Sequence, residues 1–75
     1  MENVITVKLS TLKDFREFME LTTMLNGSAR AIQGETNVDA KSTLGIASIM
    51  EIGSFNLKLI DCSDAEADGF KKWKI

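Results

Sequence analysis

The chain has 75 residues, of which 44% are hydrophobic and 27% are charged, and its formal net charge is −2 at pH 7. This composition is typical of one small globular domain, which we expect over residues 1–75, and it excludes a disordered tail. The nine basic residues are scattered and form no stripe that would attract a phosphate backbone. We therefore expect no direct nucleic-acid ligand.

Several kinds of site need residues that this chain lacks. It has no histidine and a single cysteine, Cys62, so neither an internal disulfide nor a metal site is expected. Its serines have no histidine as base, and no glycine-rich phosphate loop follows a strand. The apolar runs are too short to span a membrane, and the first residues are not those of a signal peptide. We expect a cytoplasmic protein that is not an enzyme, needs no cofactor and does not contact a membrane.

The first elements are predicted from a change of period. Residues 4–9, VITVKL, alternate between apolar and polar, which is typical of a half-buried strand. Helical spacing follows and predicts a helix over about 11–25, capped by Ser10 or Thr11 with Asp14 in capping-box register. Its apolar face is expected to consist of Leu12, Phe15, Phe18, Met19, Leu21 and Leu25.

The middle of the chain predicts a hairpin and a short helix. Asn26-Gly27 ends the first helix, and two short strands, SARAIQ and TNV, flank the turn signal Gly34, with their register left open. Ser42 to Met50 is apolar enough for a two-turn helix with one side buried, and Gly53 closes it.

The last third predicts a strand and a helix. SFNLKLI alternates, with Phe55, Leu57 and Leu59 inward. A helix over 63–74 begins with the capping box of Ser63 and Glu66 and places Ala67, Phe70 and Trp73 on one face. Its end carries Lys71, Lys72 and Lys74, whose charges would complement the exposed carbonyl groups.

The resulting order, β-α-β-β-α-β-α, favours an α+β fold of two layers, with all helices on one face of a single sheet. The other face of the sheet should be polar. The residues expected there are Thr6, Lys8, Asn56 and Lys58.

This order, together with DAKSTLGIAS between a hairpin and a short helix, resembles the histidine-containing phosphocarrier protein (HPr) family of the bacterial sugar phosphotransferase system. The specific part of the resemblance is residues 38–60. There, Lys41-Ser42-Thr43-Leu44-Gly45 is similar to the Lys-Ser pair, apolar residue and glycine that open the family's second helix. The resemblance implies an open-faced two-layer β-sandwich, with a four-stranded antiparallel sheet and three helices on one face.

The chain departs from the family at the residue that carries phosphate. HPr proteins hold it on a histidine in a Gly-x-His-x-Arg-Pro stretch before the first helix, whereas this junction is Leu9-Ser10-Thr11-Leu12-Lys13 and the chain has neither histidine nor proline. Phosphohistidine transfer is therefore impossible for this polypeptide alone. A phosphoester on Thr11 would be too inert to pass its phosphate on.

Ser42 is the residue to which the resemblance assigns regulation. In HPr proteins of many Gram-positive bacteria a dedicated kinase phosphorylates this serine, and the product helps a transcription repressor to sense carbon supply. Phosphorylation would place about −1.5 to −2 charges at the first turn of a helix, with Lys41 alongside. The alternative is that Ser42 is only the N-cap, worth about 1 kcal/mol, and the two roles are compatible.

The resemblance also implies a protein partner, for which HPr kinase or a transcriptional regulator is expected. The candidate contact residues are Lys41, Thr43, Leu44 and Ala47, which are smaller or more polar than the usual residues at these positions. Leu44 is either an anchor for the partner or a partly exposed core residue. Two hypotheses remain: a degenerate HPr-like regulatory module, or a structural or interaction domain that keeps only the fold.

Overall fold

Four strands and three helices alternate along the chain, which the computed structural model describes over residues 2–75. The predicted α+β order, β-α-β-β-α-β-α, is confirmed. The strands are β1 Glu2–Val7, β2 Ser28–Gln33, β3 Thr36–Asp39 and β4 Phe55–Ile60. The helices are α1 Leu12–Met24, α2 Thr43–Ile52 and α3 Asp64–Asp68, followed by a single 3₁₀ turn, Lys71–Trp73.

All four strands form one antiparallel sheet in the order β1-β4-β2-β3. The hairpin register that the sequence left open pairs Gln33 with Thr36 and Arg30 with Asp39. Gly34 begins the turn with φ 58°, a left-handed value that glycine adopts without steric cost. The hairpin is therefore closed by a tight turn, as predicted.

The core lies between the sheet and the helices, and its centre is Phe18 of α1. Phe55, Leu57 and Leu59 of β4 are buried on the inner face, as the alternation predicts. The Phe18 ring packs edge-on against three others, with centroid distances of 5.8 Å to Phe55, 5.5 Å to Phe70 and 5.8 Å to Trp73. These contacts join α1, β4 and the end of the chain in a single core.

The first strand lies earlier than predicted. It ends at Val7, so Lys8 and Leu9 follow it, although Leu9 is buried. On the outer face Thr6 donates to Asn56 Oδ1 at 2.7 Å, but Val4 on the same face is 55% exposed. The outer face is therefore less polar than its predicted residues indicate.

The prediction for Leu12 is wrong, because this side chain is 67% exposed. The buried residues of α1 are Phe18 and Thr22, and Leu12 lies about 120° around the helix from Phe18. The apolar face of α1 is thus wider than the surface that the sheet covers.

The last predicted helix is also wrong, since it is interrupted after Asp68. Gly69 is a weak helix former, and the backbone tightens there: Phe70 N–H donates to Ala67 O and Trp73 N–H to Phe70 O, both over three residues. This tighter winding places Phe70 and Trp73 together in the core.

The three lysines near the end consequently have separate roles rather than one at a helix end. Lys71 pairs with Asp68 at 2.7 Å and Lys72 pairs with Glu17 at 2.9 Å. Lys74 lies in extended backbone and bridges to Val7 of β1.

Candidate functional site

Ser42 is the N-cap of α2, as predicted. Its backbone is extended, at φ −85° and ψ 113°, and its Oγ accepts from Gly45 N–H at 3.2 Å. The side chain is exposed. The first-turn N–H groups of a helix lack partners within it, so a phosphoryl group on this oxygen would find hydrogen-bond donors beside it.

Gly45 explains how this end of α2 comes close to the sheet. A Cβ at this position would lie 3.1 Å from the Val38 side chain and 3.3 Å from Ser42 Oγ. A side chain here would press on both neighbours. Glycine therefore lets the first turn of α2 pack on β3 while Ser42 keeps its capping geometry.

Lys41 is committed to a different part of the fold. Its Nζ donates to Leu25 O at 3.3 Å and to Gly27 O at 3.2 Å, where α1 ends and the chain turns toward β2. Its backbone N–H donates to Asp39 Oδ1 at 2.9 Å. The charge that the sequence placed beside a phosphate on Ser42 instead stabilises the carbonyl end of α1.

The partner-binding candidates on α2 differ in exposure. Leu44 is 82% exposed and Thr43 is also exposed, whereas Ala47 is half-buried. The core reading of Leu44 is therefore wrong. Ile46 and Ile49 on the opposite side of α2 are buried instead.

Sequence reasoning missed Ile52, which is 78% exposed. The helix runs two residues beyond the predicted end at Met50, so Leu44, Ser48 and Ile52 form a row at i, i+4 and i+8 along it. The signal in the sequence was that Glu51 and Ile52 precede Gly53 without any helix breaker.

Helix α1 contributes the other half of an apolar surface. We call it the α1–α2 surface and define it by Leu12, Phe15, Thr43, Leu44, Ala47 and Met50. Two shallow depressions meet at Phe15: one of about 290 Å³ reaches Ala47 and Met50, and one of about 680 Å³ reaches Thr43. The sequence assigned Leu12 and Phe15 to the core; the unusual breadth of the apolar stripe on α1 was the sign that some of it faces outward.

The N-terminus of α1 is filled by a carboxylate. Asp14 Oδ2 accepts from the backbone N–H groups of Ser10 at 3.1 Å and Thr11 at 3.3 Å, and Thr11 Oγ1 accepts from Asp14 N–H. The Ser10 N–H contributes most to a lowered pKa of Asp14, so the group stays ionised. A fixed negative charge therefore lies where the resemblance implies that a phosphoryl group would be held.

Among residues 2–75, no cluster of three or more His, Cys, Asp or Glu side chains is placed to hold a metal ion. Within the same range no helix has both the length and the apolar character needed to cross a bilayer. Comparisons with protein-family models, curated proteins and solved structures find no match. Function must be inferred from the α1–α2 surface and the residues around Ser42.

Proposed function

We propose that the protein is an HPr-related, non-enzymatic module of the phosphoenolpyruvate-dependent sugar phosphotransferase system. It would bind a partner protein through the α1–α2 surface and be regulated by phosphorylation of Ser42. The observation that carries the proposal is the exposed Ser42 hydroxyl at the N-terminus of α2, two residues before an 82% exposed leucine, Leu44.

A carrier role is left out of the proposal for two reasons. The chain has no histidine, so it has no side chain that forms the labile phosphoramidate of a phosphocarrier. In addition, the Asp14 carboxylate occupies the backbone N–H groups of Ser10 and Thr11. A second anion at this helix end would be repelled.

The apolar character of α2 supports protein binding. A helix with apolar residues all round is normally covered on all sides, yet the Leu44 and Ile52 side chains of α2 are exposed. Isolated surface leucines are ordinary, but here Leu12 and half-buried Phe15 of α1 extend the same surface. A partner that covers it would gain a central anchor in Leu44.

Phosphorylation would change this surface without a change of fold. A phosphate on Ser42 adds about −1.5 to −2 charges next to Leu44, at a helix end that favours anions. Because the hydroxyl is exposed, the added group meets no steric obstacle from the core. The expected partners are HPr kinase and a transcriptional regulator that distinguishes the two states.

The first test is incubation of the purified chain with ATP and HPr kinase, followed by intact-mass measurement. One added phosphate is expected, lost in Ser42→Ala and kept in Ser48→Ala, which removes an exposed hydroxyl from the same helix. No added mass on the folded chain, or a phosphate that persists in Ser42→Ala, would contradict regulation at Ser42.

The second test separates the α1–α2 surface from the modification. Binding of the phosphorylated chain to the repressor is measured by calorimetry, and Leu44→Ser is expected to weaken it at least about tenfold, as loss of an anchor residue does. Glu35→Ser, an exposed change in the hairpin turn, is the matched control and should bind normally. A chain inert to both kinase and repressor would favour the alternative, a structural or interaction domain that keeps only the fold.

A further inference from the structure

The outer edge of β1 is covered along only part of its length. The chain after the 3₁₀ turn runs beside this edge as a short fifth strand: Trp73 O accepts from Lys8 N–H at 3.0 Å, and Ile75 N–H donates to Thr6 O at 3.1 Å. Lys74 pairs with Val7 between these two bonds. Covering an edge in this way prevents pairing with another chain.

The rest of the edge is open. Backbone groups of an antiparallel strand alternate in direction, so Val4 and Thr6 point away from β4 while Ile5 points toward it. Three outward groups have no hydrogen-bond partner among residues 2–75, namely Val4 N–H, Val4 C=O and Thr6 N–H. The open edge therefore ends where Ile75 begins.

The two parts of the covering segment are held with very different strength. Trp73 is buried, packs against Phe18 and Phe70, and donates its indole N–H to Asp14. Beyond it, Ile75 is 68% exposed and is held to β1 by one backbone hydrogen bond. Only residues 74–75 can leave the edge without opening the core.

We propose that Lys74–Ile75 is a removable cover that prevents β1 from pairing, antiparallel and two-fold symmetric, with β1 of a second copy. Once the cover leaves, Val4 and Thr6 expose two N–H and two C=O groups in all. These match the same groups of a second copy: Val4 pairs with the partner copy's Thr6 and the reverse, giving four hydrogen bonds with Ile5 opposite its own copy. The two sheets would then form one continuous sheet of eight strands.

The geometry also limits this pairing to a short segment. Trp73 keeps its place beside Lys8, so the second copy has room only beside residues 3–7. An interface of that size is far smaller than that of a stable dimer, and the association should be weak and concentration-dependent.

The test compares the full chain with a chain that ends at Trp73, by sedimentation velocity up to millimolar concentration. The full chain is expected to stay monomeric, and the shortened chain to approach twice the mass of one chain. Fluorescence of Trp73, the single tryptophan, reports whether each chain is folded. Should the shortened chain not fold, the full chain carrying Ile75→Pro, which deletes the N–H that binds Thr6, replaces it.

Two substitutions at Val4 show whether backbone pairing is responsible. Val4→Pro removes only an outward N–H and is expected to abolish the dimer, whereas Val4→Ala keeps the N–H and should preserve it. By hydrogen exchange, the Val4 and Thr6 amides should be unprotected in the full chain and protected in the dimer. A monomeric uncovered chain, equal association of the full chain, or a dimer that survives Val4→Pro would overturn the proposal.

Discussion

The indole N–H of Trp73 donates to Oδ1 of Asp14 at 3.3 Å, across 59 positions of the chain. The other oxygen of the same carboxylate accepts from Ser10 and Thr11 at the start of α1. One side chain therefore fixes both the beginning of the first helix and the end of the chain. Glu66 does the same for the other helix junction, since it accepts from Ser63 N–H and Asn26 N–H.

These two carboxylates predict an acid-sensitive fold. The pKa of Asp14 lies below its ordinary 3.8, chiefly because of the Ser10 N–H, and that of Glu66 lies below 4.5, chiefly because of the Ser63 N–H. A pKa that is lower in the folded state stabilises the protein above the unfolded value, and this stabilisation is lost as the pH falls through the folded value. Tm should therefore be flat near neutrality and fall at pH values below 4.5.

The acid prediction is checked by measuring Tm against pH by circular dichroism. The double variant Asp14→Asn, Glu66→Gln should have a lower Tm at pH 7 and a shallower decline in acid. If its decline were as steep as that of the unmodified chain, other carboxylates would be responsible.

Ser42 should show a capping role that is independent of any kinase. Ser42→Ala removes the acceptor for Gly45 N–H and should lower the free energy of unfolding by about 1 kcal/mol. Ser42→Asp keeps an acceptor and adds a charge that the helix dipole favours, so it should be nearly neutral. Urea denaturation measures both, and equal losses in the two variants would argue against the cap.

Gln33 is predicted to hold the end of α2 against the hairpin. Its Nε2 lies 2.9 Å from Ile49 O, 3.3 Å from Gly53 O and 3.0 Å from Ser54 O. Gln33→Leu leaves these carbonyl groups without the donor and should cost about 1–3 kcal/mol in urea denaturation. Glu35→Ala, two residues away and exposed, should change stability by less than about 0.5 kcal/mol. Equal effects would show that the amide contributes nothing specific.

Two glycines should respond differently to alanine. At Gly27 a Cβ would collide with the carbonyl oxygen of Ile60, so Gly27→Ala should cost more than about 3 kcal/mol or prevent folding. At Gly34 the space is open and only the positive φ opposes a side chain, so Gly34→Ala should cost about 1 kcal/mol. Thermal unfolding of the two variants side by side gives the comparison, and a mild effect at Gly27 would contradict this packing.

Features that depend on neighbours three or four residues away could be predicted from the sequence. The capping boxes of Thr11 with Asp14 and of Ser63 with Glu66 are both present, and Ser42 caps α2. Each needs only a short polar side chain at a fixed distance along the chain. The alternation that buries Phe55 is equally local.

Features set by distant contacts could not be predicted. Nothing near Lys41 in the sequence indicates that its ammonium group binds Leu25 O, sixteen residues earlier. The exposure of Leu12 depends on how far the sheet extends beneath α1, and the interruption at Gly69 depends on bringing Phe70 and Trp73 into one core. The candidate site was thus found at Ser42 and Leu44, while its α1 half was missed.

The strand order has a consequence for synthesis on the ribosome. β1 emerges first, yet its strand partner is β4, with Val4 beside Lys58, and the core ring of Phe18 waits for Phe70 and Trp73. A nascent chain that ends before β4 can form the hairpin and the first two helices but has no layer to cover them. Pairing between such distant segments slows folding, because a long loop must close before any contact rewards it. The protein therefore acquires its structure in one late step, when translation is nearly complete.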